Sequence, residues 1–168
     1  MHRAIMMVLA LGGCATVPDR VDGPTEVTAR LLTAQGADRG SAVLGLADGR
    51  MRLTVDAPGF LLGARAVHIH DVGKCEGPAF ASAGPHWNPT AKQHGRDNPM
   101  GAHHGDLPNL LIGTDGRGTM SIDVAGTISQ LLDADGAAVM IHADADDYKT
   151  DPSGNAGGRI ACGVLSVP

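Results

Sequence analysis

The chain has no excess of positive charge, no apolar run long enough to cross a bilayer and no sustained helical periodicity. Its 13 basic groups face 18 acidic ones, a formal net charge of −5. That balance argues against a nucleic-acid binder, because phosphate contacts need concentrated Lys and Arg. The roughly 20 consecutive apolar residues of a membrane-spanning helix are missing, and long-helix folds are poor candidates without a 3.6-residue apolar repeat. Aromatic residues are scarce, with one Trp, one Tyr and two Phe, and there are only three cysteines. Glycine is abundant, at 24 beside 10 prolines, and so is histidine, at 8 in 168 residues. That length predicts one domain, and the Gly and Pro content predicts short strands joined by turns. Seven of the histidines lie between His68 and His142.

The N-terminus reads as an address. A short, weakly basic stretch precedes residues 4–11 (AIMMVLAL), an apolar segment of signal-peptide size. Leu11-Gly12-Gly13-Cys14 follows and resembles the lipobox of bacterial lipoproteins, in which the cysteine is lipidated. The expected division is a signal peptide at 1–13, a lipidated Cys14 with a flexible tether at 14–24, and the domain at 25–168. An ordinary secretory signal cut nearby is the alternative. Export places the domain in the periplasm, and Ala15 after Cys14, where no aspartate stands, favours an outer-membrane anchor. In an oxidising compartment Cys75 and Cys162 can form one disulfide; two buried thiols are the other reading.

From residue 25 the chain reads as eight strands: 26–32, 41–47, 50–55, 66–71, 110–113, 118–124, 137–142 and 159–164. Asp48-Gly49 between the second and third is a hairpin signal, since both turn positions need positive φ. An antiparallel all-β barrel or sandwich follows. Residues 72–105 lack periodicity, are rich in Gly and Pro and hold four histidines. A loop that long needs something to fix it.

Metal binding is the first candidate. In His68-Ile69-His70 the imidazoles share one strand face while Ile69 takes the other, and His142 ends another strand. A set of imidazoles alone suits copper. His86, His94, His103 and Asp106 follow at spacings of eight, nine and three residues. Three imidazoles and a carboxylate suit tetrahedral zinc. Solvent-facing loop histidines are the plain alternative for any one of them.

Together, Ala66-Val67-His68-Ile69-His70, Gly84-Pro85-His86-Trp87-Asn88-Pro89, His94-Gly95, His103-His104-Gly105-Asp106-Leu107, Ile141-His142 and Gly154-Asn155-Ala156-Gly157-Gly158-Arg159-Ile160-Ala161-Cys162-Gly163 resemble the copper–zinc superoxide dismutases, in their exported bacterial branch. The resemblance covers about residues 25–167. It implies an eight-stranded antiparallel Greek-key barrel with two long loops, one copper and one zinc per subunit, and dismutation of superoxide as an antioxidant activity. By the resemblance, copper falls to His68, His70, His86 and His142, and zinc to His86, His94, His103 and Asp106, with His86 shared. Asp146 matches a carboxylate hydrogen-bonded to a ligand of each metal, Arg159 the arginine that receives the anion, and Cys75–Cys162 the intrasubunit disulfide.

Two departures are Trp87, where phenylalanine is usual, and His104, where a small residue is usual; spacing to Asp106 favours His103 as the ligand. The loop 147–158 lacks the charge pattern of longer members, so help for Arg159 in guiding the anion would have to come from Lys149, Lys92 or Arg96. Association as monomer or homodimer is compatible with the sequence. The rival readings are a copper- or zinc-binding lipoprotein without turnover and an Ig-like adhesion module.

Overall fold

The computed structural model describes residues 23–168. The signal peptide, Cys14 and most of the tether lie outside the described residues. Within them run β1 (Glu26–Leu32), β2 (Asp38–Ala47), β3 (Arg50–Pro58), β4 (Gly63–Arg65), β5 (Val67–His70), β6 (Leu110–Ile112), β7 (Arg117–Val124), β8 (Ala138–His142) and β9 (Arg159–Val164). A 3₁₀ turn at Ala81–Ala83 and a one-turn helix α1 (Ile128–Leu131) complete the set. All eight expected strands are present. The ninth, β4, pairs with β6; its three residues carry no alternation that a sequence reading could detect. Helix α1 has only four residues, and rests on a capping box between Thr127 and Gln130.

Local pattern explains the barrel. In β3, Met51, Leu53, Val55 and Ala57 are buried, whereas the intervening Arg52, Thr54 and Asp56 point away from the core. Asp48 and Gly49 turn β2 into β3 with φ of 52° and 74°, the conformation their sequence predicts. Seven strands form one antiparallel sheet in the order β5-β8-β9-β1-β2-β3-β7, and β4 with β6 makes a second. Leu110 and Ile112 of β6 share one core with Leu31, Leu44, Leu53, Ile69, Val139 and Ile141 of the large sheet. The chain leaves the sheet after β3 and re-enters at its far edge with β5, a Greek-key path.

Strands β5 and β8 are buried on both faces. Their odd-numbered residues fill the barrel, while His68, His70, Ala138, Met140 and His142 face the other way, under the loop that runs from β5 to β6. Three ties hold that loop down. Its Trp87 donates to the Ile69 carbonyl at 2.8 Å and its Gly105 carbonyl accepts from Ile69 at 3.0 Å, so two segments flank β5 as bridges. Gly105 approaches the Ile69 carbonyl so closely that no Cβ would fit. A disulfide joins Cys75 of the loop to Cys162 of β9, with Cα atoms 5.7 Å apart. Phe80 and Ala83 pack beside it on Ala138 and Met140.

Candidate metal centre

Four imidazoles converge where β5, β8 and the loop meet. His68 and His70 come from alternate positions of β5, His142 from the end of β8, and His86 from the bridge that pairs with His70. Their donor atoms lie within 4.8 Å of one another and all four residues are buried. Each ring is held by one nitrogen. His68 Nε2 donates to Asp146 Oδ2 at 2.8 Å, His70 Nδ1 to the Gly84 carbonyl at 2.8 Å and His142 Nδ1 to the Gly157 carbonyl at 3.3 Å. Carboxylates and carbonyls only accept, so in each neutral ring the other nitrogen carries the lone pair. Those nitrogens, His68 Nδ1, His70 Nε2 and His142 Nε2, are buried without a hydrogen-bond partner. Leaving three such atoms unsatisfied costs on the order of 1–3 kcal/mol each. Burial lowers His68 to about 3, His70 to about 2 and His142 to about 4, which keeps the rings neutral. Three unpartnered imidazole nitrogens in one buried place fit a metal ion that takes nitrogen ligands.

The second set adjoins the first. Asp106 Oδ2 is tied by the backbone amides of Gly95 and His103, at 2.9 and 3.0 Å. Its Oδ1 meets three rings by their Nδ1 atoms: His86 at 2.9 Å, His94 at 3.0 Å and His103 at 3.1 Å. Bonds of ~2.0 Å to a tetrahedral zinc would set neighbouring donors ~3.3 Å apart, close to what is seen. The three nitrogens and one oxygen therefore fit zinc. His68 also comes within 4.8 Å of this group, but its Nε2 is engaged with Asp146 and its free nitrogen belongs to the other set. Burial opposes a charge on Asp106, yet hydrogen bonds from His86 and His94 hold its carboxyl well below the usual range. For His94, likewise, bonds to Asp106 and Asp146 outweigh burial and raise it to about 9.

Asp146 couples the two sets, since its Oδ1 accepts from His94 Nε2 at 3.0 Å while Oδ2 holds His68. The sequence offered no sign of what holds Asp146 itself. Asn109 accepts from its amide at 2.8 Å and donates to its carbonyl at 3.0 Å, and the Tyr148 amide reaches Oδ1 at 2.6 Å. Gly154 covers this bridge at φ 64°, where a Cβ would strike Asp146 and His94. A lone Asn after Pro108 and a glycine among many carry no pattern that would single them out.

A cavity of about 700 Å³ opens before His86 and His142, and Arg159 lines it. The guanidinium is held by two loop carbonyls, Nη1 to Phe80 at 2.6 Å and Nη2 to Gly84 at 2.8 Å. Arg159 is the one cation lining that cavity among the described residues; Lys92, Arg96 and Lys149 do not line it. Arg96 instead lies over the Tyr148 ring at 3.8 Å. His103 and His104 are separated in role: His103 joins Asp106, while the His104 ring packs edge-on to Trp87 at 5.3 Å. Trp87 is buried in the main core.

A sequence model of the copper/zinc superoxide dismutase (SODC) family matches residues 39–165. The chain is 40% identical over 146 residues to Cu-Zn superoxide dismutase 2 of Aquifex aeolicus, across 82% of this chain and 84% of that protein. To the superoxide dismutase-like protein YojM of Bacillus subtilis it is 48% identical over 114 residues, 64% of this chain and 57% of the relative's length. Among solved structures, a SOD-like protein from Bacillus subtilis superposes with a TM-score of 0.78 at 39% identity, over 83% of this chain and 97% of that one. The Brucella abortus Cu/Zn superoxide dismutase gives 0.67 at 26% identity, over 84% and 99%.

Proposed function

The chain belongs to the copper/zinc superoxide dismutase family, and from that we propose that it converts two superoxide anions and two protons to O₂ and H₂O₂. The observation that carries this is the set of three unpartnered buried histidine nitrogens beside a cavity whose cation is Arg159. A copper ion held by His68, His70, His86 and His142 supplies reversible one-electron chemistry, and a zinc ion held by His86, His94, His103 and Asp106 supplies fixed charge without redox chemistry.

The chain's own residues do the rest. His86 belongs to both donor sets, with Nδ1 turned to Asp106, so Nε2 is where it takes up and returns a proton. Asp146 orients His68 and His94 by fixing which nitrogen is free. Arg159 attracts the anion. The protein as a whole is acidic, so this local positive charge must dominate within roughly 8–10 Å, the Debye length at ordinary salt. Arg159→Ala is expected to slow superoxide capture by about tenfold or more. Pulse-generated superoxide decay on the metal-loaded protein, at low and high salt, measures it; an unchanged rate at low salt would overturn this role of Arg159.

The proposed location is the bacterial periplasm, with a lipid on Cys14 and the outer membrane as the anchoring surface. The apolar segment at 4–11 and the Leu11-Gly12-Gly13-Cys14 motif support it. The Cys75–Cys162 disulfide does too, since such bonds persist in oxidising compartments. Fatty-acid labelling of the expressed full chain is expected to be lost in Cys14→Ser; label retained by that variant rules the anchor out.

A further inference from the structure

Most of the arginines have a carboxylate to pair with. Arg30, Arg50, Arg52, Arg96 and Arg117 each have an aspartate oxygen within 4.0 Å, and Arg159 lines the cavity before His86 and His142. Among the described residues that leaves Arg39 and Arg65, neither of which has a carboxylate partner there. Both line one further cavity, of about 330 Å³, which shares no lining residue with the cavity before Arg159. That volume lies at the lower end of the range for small-molecule sites. Both arginines are half-buried, and backbone carbonyls hold them in place. Arg39 Nη1 donates to the Asp38 carbonyl at 3.0 Å, Arg65 Nη1 to the Ala64 carbonyl at 2.9 Å and Arg65 Nη2 to the Leu61 carbonyl at 3.3 Å. Arg39 Nε, Arg39 Nη2 and Arg65 Nε have no acceptor among the described residues. Two like charges at one cavity repel each other, and a chain with 18 acidic residues against 13 basic ones had carboxylates to offer them.

The other walls are largely apolar. Phe60 and Ile160 pack on the barrel core, and the Arg39 guanidinium lies over the Phe60 ring at 5.7 Å. Leu61 lines the same cavity with 81% of its surface left in water. Ile160 follows Arg159 on β9 and so points to the opposite face of the sheet. We propose that this cavity binds a small amphiphilic oxyanion, with its carboxylate or phosphate head on Arg39 and Arg65 and its apolar tail against Phe60, Leu61 and Ile160. Guanidinium forks match the oxygens of either head, and a tail laid on Leu61 removes apolar surface from water. The site needs neither metal nor turnover, so it stands apart from the dismutase reading.

Octanoate and octyl phosphate are the probes, with inorganic phosphate as the head alone and octanol as the tail alone. Calorimetric titration of the metal-loaded protein is expected to show one equivalent of octanoate or octyl phosphate bound, the tighter of the two telling a carboxylate site from a phosphate site. Inorganic phosphate and octanol are expected to bind at least about tenfold more weakly. Arg39→Gln and Arg65→Gln should each weaken the amphiphile by about tenfold, while Arg159→Ala should leave its binding unchanged. Amide NMR shifts of the unsubstituted protein, with copper reduced to its diamagnetic form, test the same point should a variant not fold. They are expected at residues 59–65 and 143 rather than at 152–158. No binding of either amphiphile would overturn the proposal, and so would octanol or phosphate binding as tightly. A loss in Arg159→Ala but not in the two glutamine variants, or shifts centred on 152–158, would place the anion in the other cavity and overturn it equally.

Discussion

Replacing Asp146 by alanine is expected to weaken binding of copper and zinc together, each by about 10–100-fold. One carboxylate serves both centres, with Oδ2 on His68 Nε2 and Oδ1 on His94 Nε2. Without it neither ring has a reason to keep its Nδ1 free for a metal. Asp146→Asn is the sharper variant. An amide has one accepting and one donating end, so only one of the two rings can still donate from Nε2. The other is driven to the tautomer with a proton on the nitrogen that should bind metal. The asparagine variant is therefore expected to lose most of what the alanine variant loses, chiefly at one of the two centres. Competitive titration against chelators of known strength, done separately for each metal, decides the matter. A loss at zinc alone in Asp146→Ala would show that His68 is oriented by something else.

Removing the disulfide, as Cys75→Ser with Cys162→Ser, is expected to destabilise the apoprotein by up to about 4–5 kcal/mol. The two cysteines are 87 residues apart, so the bond withdraws a large amount of freedom from the unfolded chain. The effect extends to the site. The bond pins the segment that contains Phe80 and Gly84, whose carbonyls hold the two terminal guanidinium nitrogens of Arg159. The Gly84 carbonyl also accepts from His70 Nδ1. Stability and superoxide capture should fall together, and they should do so in the fully metal-loaded protein as well. Denaturant unfolding gives the first and superoxide decay the second. A stability loss with an undiminished rate would mean that Phe80 and Gly84 keep their places through the packing of Ala83, Met140 and Ala138 alone.

Most of the barrel was legible in the sequence, because strand alternation and turn chemistry are short-range rules, whereas the two full donor groups were expected only from the family resemblance. Alternation with period two put His68 and His70 on one face and Ile69 on the other before any packing was known, and Asp48-Gly49 announced its hairpin. The three-residue strand β4 and the one-turn helix α1 were not legible, since neither is long enough to show a period. Within the site, tertiary structure alone decided which nitrogen of each histidine is left free. That depends on distant partners, the carbonyls of Gly84 and Gly157 and the carboxylate of Asp146. It also separated His103 from His104 and revealed Asn109 beneath Asp146. Lys149, Lys92 and Arg96 were equal candidates to assist Arg159 in sequence, yet none of them lines its cavity. Side chains on strands inherit their direction from the neighbouring residue. Those on long loops take it from whatever the loop is folded against, and no local pattern encodes that.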